Sequence, residues 1–389
     1  MKKTSIKINF IMNALLTMSS FIFPLITFPY VSRILSPEGT GKVSFANSVI
    51  AYFALFAQLG IPTYGIRACA KVRDNKEELS RTVQDIFIIN MVMTVITYIA
   101  FGITLVYVPR LQTERPLFLI MSTTLLFNAV GLDWLYRGLE KYTYITVRSL
   151  LFKFIALLAM FALIHQKSDY VIYGGISIFA SSASNICNLV NVHQYIQIRP
   201  VGKYQFWRHL KPVMIFFAMS CATTIYTNLD TVMLGFIKTD IDVGYYNAAV
   251  KIKSVLLGIV TSLGTVLLPR ASYYIEHHEM EEFRRITKKA INFVFLIAVP
   301  LTCYFILYAK EGILFLSGNE YMPAVLPMQI IMPTIIFIGL TNIMGIQMLV
   351  PMGLEKVVLY SEIAGAIVDL ILNTLLIPRL VSVGAAIGT

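Results

Sequence analysis

The sequence predicts an all-α, polytopic membrane helix bundle, and three observations support this fold class. Hydrophobic residues fill 57% of the 389 positions, and the mean hydropathy is +0.71. Charged residues make up only 14% of the chain, whereas a soluble domain carries about 25%. Apolar runs of about 20 residues, the length of helix that crosses a bilayer, recur along the whole chain. This composition therefore suits lipid as the solvent.

The apolar runs predict about eleven complete transmembrane helices. Each run is taken as a helix because backbone exposed to lipid has to satisfy its own hydrogen bonds. The first run extends past Pro24 and Pro29 without a small-residue cleavage site, so it is predicted to be a retained span rather than a signal peptide. The predicted spans are 10–30, 42–61, 83–108, 117–135, 147–165, 169–193, 212–236, 244–268, 290–309, 325–349 and 357–377.

The distribution of basic residues predicts a cytoplasmic N-terminus. With that orientation, and with Lys42 and Arg148 at the edges of spans counted in the adjoining connections, 21 of the 32 Lys and Arg residues fall in inner connections, 8 in outer connections and 3 inside spans. Inner connections are the ones enriched in Lys and Arg in membrane proteins. Topology therefore accounts for the net charge of +11, and no nucleic-acid partner is predicted.

The two halves of the chain show the same order of features, which predicts a parallel repeat. Gly41 opens the second predicted span and Gly244 the eighth, and each of these spans ends near a proline. The offset is about 200 residues, or six spans, so both halves have the same orientation. We predict a six-helix domain at 1–205 and a second domain at 206–389. The second holds five helices and the start of a sixth, so the chain is expected to be truncated from twelve or more helices.

Few residues are arranged for catalysis or metal binding. The segment 36–42 resembles a phosphate-binding loop, but it lacks the first glycine and has Val43 after the lysine. The four cysteines and five histidines show no ligand spacing. No catalytic residue, metal site or cofactor is predicted, and the protein is not expected to be an enzyme.

Ionisable residues inside the spans are the candidate functional positions, because a charge near the bilayer centre costs roughly 2.5–3.5 kcal/mol on insertion scales. In the eleventh span Glu362, Asp369 and Asn373 follow one another at intervals of seven and four, which places them on one stripe of a helix. They are candidates for binding a coupling cation, a proton or sugar hydroxyls. The alternative is a helix–helix contact, with Asp369 neutral or paired.

Spans seven and eight add Asn228, Asp230, Lys251 and Lys253 as candidates. Counting 1.5 Å per residue places Asp230 and Lys251 at a similar depth of roughly 10 Å, which predicts an ion pair or a shared cavity. Lys253 is about 200° around the helix from Lys251, so it is expected to point elsewhere or to snorkel. A purely structural ion pair is the alternative.

Two further sets lie toward the predicted inner side of the membrane. Asp133 and Arg137 are four residues apart beside Trp134, which predicts a local salt bridge in an interfacial aromatic belt. Lys153 lies about six residues inside the fifth span. It either snorkels to the cytoplasmic side or projects into a cavity toward an anionic head group.

Several segments carry a resemblance to a known family. They are FPYVSRILSPEGTGKVSF (28–45) with QLGIPTYGIR (58–67), DWLYRGLEKY (133–142), NLDTVMLG (228–235) with VGYYNAA (243–249), LNTLLIP (372–378) and GAAIG (384–388). In this order they resemble the bacterial polysaccharide (O-antigen) flippases. That family belongs to the multidrug/oligosaccharidyl-lipid/polysaccharide exporter superfamily.

The resemblance implies two six-helix bundles around a central cavity that opens to one side of the membrane at a time. It implies that an undecaprenyl-diphosphate-linked oligosaccharide moves from the inner to the outer leaflet of the bacterial cytoplasmic (inner) membrane. Glycan-polymerase and assembly proteins are candidate partners, besides membrane lipid. Asp369 or Glu362 is expected to couple the return step to a cation. The predicted substrate-binding residues are Arg33, Lys153, Asn228, Asp230, Lys251 and Lys253, with the cations suited to the diphosphate.

Two other functions are weighed against this one. A cation-coupled small-molecule or drug antiporter of the same superfamily would share the fold, but it would favour an acidic, aromatic cavity with few lysines. A membrane glycan polymerase or ligase would need a large outer loop. The longest predicted outer connection has only about fifteen residues, so this enzyme class is disfavoured.

Overall fold

The computed structural model describes residues 6–389, without the side chains of residues 6, 7, 226, 262–266, 268–270, 272 and 355. Within these limits every regular element is a helix, which confirms the predicted all-α fold class. The α-helices are α1 (Ile6–Gln58), α2 (Ile61–Val72), α3 (Lys76–Tyr107), α4 (Pro109–Gln112), α5 (Arg115–Val130), α6 (Asp133–Gly138), α7 (Tyr142–Leu163), α8 (Tyr170–Ile178), α9 (Asn185–Asn191), α10 (Phe206–Ile237), α11 (Asp240–Glu276), α12 (Met280–Leu307), α13 (Ala309–Ser317), α14 (Val325–Ile331), α15 (Thr334–Thr341), α16 (Glu355–Leu380) and α17 (Ser382–Gly388). Short 3₁₀- or π-helical segments lie at Lys167–Asp169, Phe179–Ala183, Val192–Gln194, Asn319–Ala324 and Asn342–Leu349.

Helix length and composition make this a multi-pass membrane protein. Among the described residues, five helices are long and apolar enough to cross a membrane, or seven if each of two bent helix pairs forms one span. One of the five is the 65-residue stretch Ile8–Val72, more than twice the roughly 20 residues that a crossing needs. The number of eleven spans and the cytoplasmic N-terminus stay predictions.

α3 shows the inverted polarity of a helix surrounded by lipid. It buries Asn90 and Thr94, and the Asn90 amide donates to the Ala129 carbonyl of α5 at 3.3 Å. Its outer face presents Ile99 and Ile103, which are 60% and 55% exposed. In water a continuous face of this kind favours association, whereas in hydrocarbon it is an ordinary outer surface. The polar groups find their partners inside the helix bundle.

The predicted connection between the first two spans is a break inside α1 rather than a loop. Ser36 has φ 62° and ψ 174°, a conformation that residues other than glycine rarely adopt, and the chain is helical on both sides. A Cβ on Gly41 would lie 1.7 Å from the Asp240 carbonyl oxygen, and one on Gly244 would lie 2.1 Å from that of Pro37. The two glycines that suggested a repeat therefore let the start of α11 pack directly against the backbone of α1.

The backbone separates into two compact units. The first comprises the chain up to Phe23 and Ala46–Ile225, and the second comprises Pro24–Phe45 and Tyr226–Thr389. α1 and α10 therefore contribute residues to both units. The predicted domain boundary falls at the start of α10, whereas this division falls inside α10. The boundary at 205 and 206 stays a prediction about domains.

α6 lies at the core of the first unit. Trp134, Leu135 and Tyr136 are at most 4% exposed, and the Tyr136 hydroxyl donates to the Asn188 carbonyl at 2.6 Å. A Cβ on Gly65 of α2 would lie 2.6 Å from the Trp134 ring, so this position has to stay small. The DWLYRG part of the family-like segment therefore has a packing role.

Candidate functional site

The second unit contains a buried cluster of polar side chains, called here the Asp230 cluster. It brings together residues of α10, α11 and α16 with the residue that follows α17. Asp230, Asp369 and Asn373 are 3%, 5% and 0% exposed. Two carboxylates at this depth are costly unless each is paired or hydrogen-bonded. The members of the cluster are Asp230, Tyr246, Lys253, Asp369, Asn373 and Thr389.

Asp230 accepts most of the hydrogen bonds in this cluster. The Tyr246 hydroxyl donates to its Oδ2 at 2.5 Å, and the Thr389 hydroxyl donates to the same oxygen at 2.7 Å. Asn373 Nδ2 donates to Asp230 Oδ1 at 2.5 Å and to Asp369 Oδ1 at 2.7 Å. The Asn373 amide therefore links the two carboxylates, through bonds of the stronger kind that charged acceptors make.

α16 and α17 together shape one side of the cluster. Asp369 and Asn373 are four residues apart, so they lie on the same face of α16. α17 packs closely against that helix, since a Cβ on Gly384 would lie 2.6 Å from the Leu376 backbone. A Cβ on Gly388 would lie 2.4 Å from Asn373 Oδ1. Glycine at position 388 therefore leaves room for the amide that links the carboxylates.

The cluster combines two carboxyl groups with buried oxygens that have no hydrogen-bond partner. In the described part of the structure, Asp369 Oδ2 and Asn373 Oδ1 are buried without such a partner. Lys253 is 9% exposed and is an electrostatic neighbour of both carboxylates. Two carboxylates and one ammonium, all ionised, leave one net negative charge. Carboxylate, amide and hydroxyl oxygens are the ligands that hard cations prefer, so this arrangement is suited to a small cation or a proton.

The predicted ion pair between Asp230 and Lys251 is wrong, whereas the alternative of a cavity shared by the two residues stays a prediction. The Lys251 ammonium lies over the Phe28 ring, 5.0 Å from its centroid, and Lys253 is the lysine whose charge interacts with both carboxylates. The prediction rested on depth in the membrane, and depth does not determine how a helix is rotated about its axis. Tyr246 and Lys253 are seven residues apart and share a face of α11. That spacing is the sequence signal that could have identified the correct lysine.

Three other predicted residues lie outside the Asp230 cluster. Glu362 is exposed on α16. Asn228 donates to the Thr227 hydroxyl at 2.9 Å. The Arg33 guanidinium donates to the Phe315 carbonyl at 2.6 Å, near the end of α13, where a cation complements the helix dipole. The structure therefore brings together Asp230, Lys253, Asp369 and Asn373 from the predicted set, and it adds Tyr246 and Thr389.

Lys153 belongs to the first unit. Its ammonium donates to the Ser19 hydroxyl at 2.8 Å and to the Ser20 hydroxyl at 3.0 Å, both on α1. The bond to Ser19 is partly buried, and the bond to Ser20 is exposed. The ammonium therefore has polar partners within its own unit, and the choice between snorkelling and a cavity stays a prediction.

The predicted salt bridge between Asp133 and Arg137 is confirmed. Arg137 Nε lies 2.6 Å from Asp133 Oδ2. The structure adds a second cation, because Arg148 Nη2 lies 3.3 Å from Asp133 Oδ1. Arg148 also donates to the Ser184 carbonyl at 2.9 Å. One carboxylate thus serves two guanidinium groups, which the sequence prediction missed because Arg148 is on a different helix.

Two family models and several relatives are similar to this chain. A model described as polysaccharide biosynthesis protein matches residues 6–275, and the MatE model matches residues 216–375. A protein of Escherichia coli (strain K12) described as "Putative O-antigen transporter" is 27% identical over 387 residues, which is 99% of this chain and 93% of the relative. A protein of Shigella dysenteriae with the same description is 26% identical over 356 residues, covering 91% and 88% of the two chains.

Solved structures of two transporter types share the fold. The lipid II flippase MurJ in an inward closed conformation has a TM-score of 0.76 at 14% identity, over 98% of this chain and 84% of that chain. A multidrug resistance MATE family transporter in an inward-facing conformation has a TM-score of 0.69 at 14% identity, over 97% and 93%. The family match spans more than half of the sequence. This chain therefore belongs to the polysaccharide biosynthesis protein family, within the superfamily of multidrug, oligosaccharidyl-lipid and polysaccharide exporters.

Proposed function

We propose that this protein flips an undecaprenyl-diphosphate-linked oligosaccharide from the inner to the outer leaflet of the bacterial cytoplasmic membrane. The match of residues 6–275 to the polysaccharide biosynthesis family is the observation that carries the proposal. The relatives described as O-antigen transporters support it. Access to the bound head group alternates between the two sides of the membrane. The oligosaccharide delivered to the outer leaflet is used for surface polysaccharide synthesis, with glycan-polymerase and assembly proteins as partners.

The proposed substrate site uses cations to bind the diphosphate. Lys251 is half-buried, and its contact with the Phe28 ring uses no N–H donor, so its donors suit an anionic ligand. Arg33 is exposed, and a guanidinium can bind phosphate oxygens through two parallel bonds. Lys153 donates to two serine hydroxyls. These hydroxyls can rotate toward other donors, which would leave the Lys153 ammonium available to the diphosphate. Asn228 is the proposed contact for sugar hydroxyls.

The Asp230 cluster is the proposed site of cation coupling. A cation bound at Asp369 Oδ2 and Asn373 Oδ1 would offset the net negative charge and give both oxygens a partner. Lys253 competes with that cation for the carboxylates, so binding and release can be coupled to a small movement of its side chain. Glu362 lies seven residues earlier on α16, about 10 Å along the helix, and is the proposed entry point for the cation.

A deletion strain tests this function. Loss of the gene should trap lipid-linked oligosaccharide in the cytoplasmic leaflet and abolish surface polysaccharide, and the wild-type gene should restore it. Asp369→Asn should reduce restoration about tenfold or more, because coupling free energies are typically 1–3 kcal/mol. Glu311→Gln is the matched control, since it neutralises an exposed carboxylate of α13 in the same unit. Normal surface polysaccharide in the deletion strain would rule the proposal out.

A cation-coupled drug antiporter is the second candidate. The MatE match over residues 216–375 favours it, because this region contains every member of the Asp230 cluster except Thr389. An antiporter would make the deletion strain more sensitive to cationic drugs without accumulation of lipid-linked oligosaccharide. If the protein is a flippase, the deletion strain should accumulate lipid-linked oligosaccharide without becoming more sensitive to cationic drugs. The two assays together therefore decide between the candidates.

A further inference from the structure

A groove of about 540 Å³ lies along the first turns of α7 in the first unit. This volume is within the range of about 300–1,000 Å³ that is typical of small-molecule sites. Its lining combines charged and hydroxyl-bearing residues with apolar ones. The polar residues include Lys141, Tyr144 and Arg148, and the apolar ones include Val147, Leu151 and Phe152.

The apolar wall of the groove faces outward. Val147 and Leu151 are 58% and 55% exposed, and they lie four residues apart on one side of α7. Phe152 continues the wall and is braced by the Phe179 ring, with ring centroids 5.1 Å apart. Phe179 begins the π-helical segment Phe179–Ala183, an irregularity of a kind that often occurs at functional sites. In a membrane protein a groove of this kind is accessible to a lipid chain.

The charged lining residues Lys141, Arg148 and Glu140, taken together with their ion-pair partners, include more cations than carboxylates. Asp133 is shared by Arg137 and Arg148, as described above, and Glu140 pairs with Arg73 at 2.8 Å. Lys141 stands over the Tyr195 ring, 5.5 Å from its centroid. Four cations therefore surround two carboxylates. Arg148 is 7% exposed, and its Nε is buried without a hydrogen-bond partner in the described residues.

We propose that this groove binds an anionic phospholipid of the cytoplasmic leaflet. Its phosphate lies between Lys141 and Arg148, and one acyl chain follows Val147, Leu151 and Phe152. Basic pockets between helices on the cytoplasmic side are suited to anionic head groups. Lys141 belongs to a connection whose basic residues predict that side of the membrane. The inference does not depend on the proposed function.

The apolar wall argues for an ordinary phospholipid over a lipid carrying an oligosaccharide. Sugars need amides, hydroxyls and aromatic faces along their length. In this groove Glu140, Lys141, Thr143 and Tyr144 supply polar groups at the start of α7. Val147, Leu151 and Phe152 supply apolar surface over the next turns, where Arg148 is the charged lining residue. A compact phosphate head group and one hydrocarbon chain match that order of chemistry.

Native mass spectrometry of the purified full chain in detergent tests the proposal. Dioleoylphosphatidylglycerol and dioleoylphosphatidylcholine are titrated separately onto lipid-depleted protein. The wild type should retain the anionic lipid more tightly. Lys141→Gln should weaken that binding about fivefold, the effect expected for one basic residue near an anionic surface, and should leave phosphatidylcholine unchanged. Lys71→Gln, an exposed lysine on α2, is its matched control.

A second pair of variants tests the apolar wall. Leu151→Trp fills the groove and should abolish the tightest phosphatidylglycerol binding. Leu158→Trp changes a residue of the same helix with nearly equal exposure, 54% against 55%, and should leave it intact. Equal affinity for the two lipids in the wild type would overturn the proposal, as would equal effects of Lys141→Gln and Lys71→Gln. Lys141 is half-buried, and its ammonium stands over the Tyr195 ring. The comparison of Lys141→Gln with Lys71→Gln remains decisive even if Leu151→Trp misfolds.

Discussion

The close contact between α1 and α11 allows the loss of stability in the variant Gly244→Ala to be calculated from distances in the structure. A Cβ added by Gly244→Ala would lie 2.1 Å from the Pro37 carbonyl oxygen, whereas ordinary contact begins at 3.4 Å. The two segments would have to separate by about 1.3 Å, the difference between these distances. Overpacking of this kind costs about 1–3 kcal/mol, and the upper end applies because the opposing atom is backbone. Alanine recovers about 1 kcal/mol of helix propensity, so the net loss should be about 2 kcal/mol.

Gly365→Ala provides the matched control. Gly365 lies inside α16, and nothing comes within 4 Å of a Cβ built on it. That variant should be as stable as the wild type or up to about 1 kcal/mol more stable. The unfolding temperature of each purified protein in detergent can be followed by intrinsic fluorescence. If Gly244→Ala unfolds at or above the wild-type temperature, the close approach of the two helices is refuted.

Two further predictions concern charged residues in the first unit. Asp133→Asn removes the carboxylate that pairs with the buried Arg148, so it should lower the free energy of unfolding by about 1–3 kcal/mol. Arg137→Gln removes the more exposed partner and should lower it by less than about 1 kcal/mol. Equal unfolding temperatures for these two variants would contradict the arrangement. The backbone N–H groups of His165 and Gln166 donate hydrogen bonds to the Asp169 carboxylate. These bonds hold the pKa of Asp169 below its usual value. A lowered folded-state pKa stabilises the fold above the unfolded pKa, so Asp169→Ala should be less stable than wild type near about pH 7, and the gap should narrow below about pH 4. If the difference in stability between wild type and Asp169→Ala were the same at both pH values, the charge of the carboxylate would not contribute to stability.

Much of the fold could be predicted because it depends on local sequence. An apolar run of about 20 residues is sufficient to specify a transmembrane helix, since the bilayer forces the backbone to bond with itself. The break at Ser36 was not predictable in the same way. It is a backbone conformation at one residue inside a long helical stretch, where the sequence predicts a loop.

The candidate site was predicted only in part. Asp369 and Asn373 could be grouped because two residues four apart on a helix always share a face. The partners across helices could not be assigned. Lys251 was predicted as the partner of Asp230, whereas Lys253 is the lysine whose charge interacts with it. Thr389 joins the cluster through the fold-back of α17, which no local pattern indicates.

Hydropathy along the amino-acid sequence by itself determined that this chain is an α-helical, multi-pass membrane protein, and the resemblance of its segments indicated a polysaccharide exporter family. Periodicity and hydropathy are properties of residues close together in sequence, so they can be read without knowledge of the fold. The tertiary structure decided how each helix is rotated about its axis. That rotation places Asp230 against Tyr246 and Asn373, and Arg148 against Asp133. It is set by packing between segments far apart in sequence, down to single glycines such as Gly41 and Gly244.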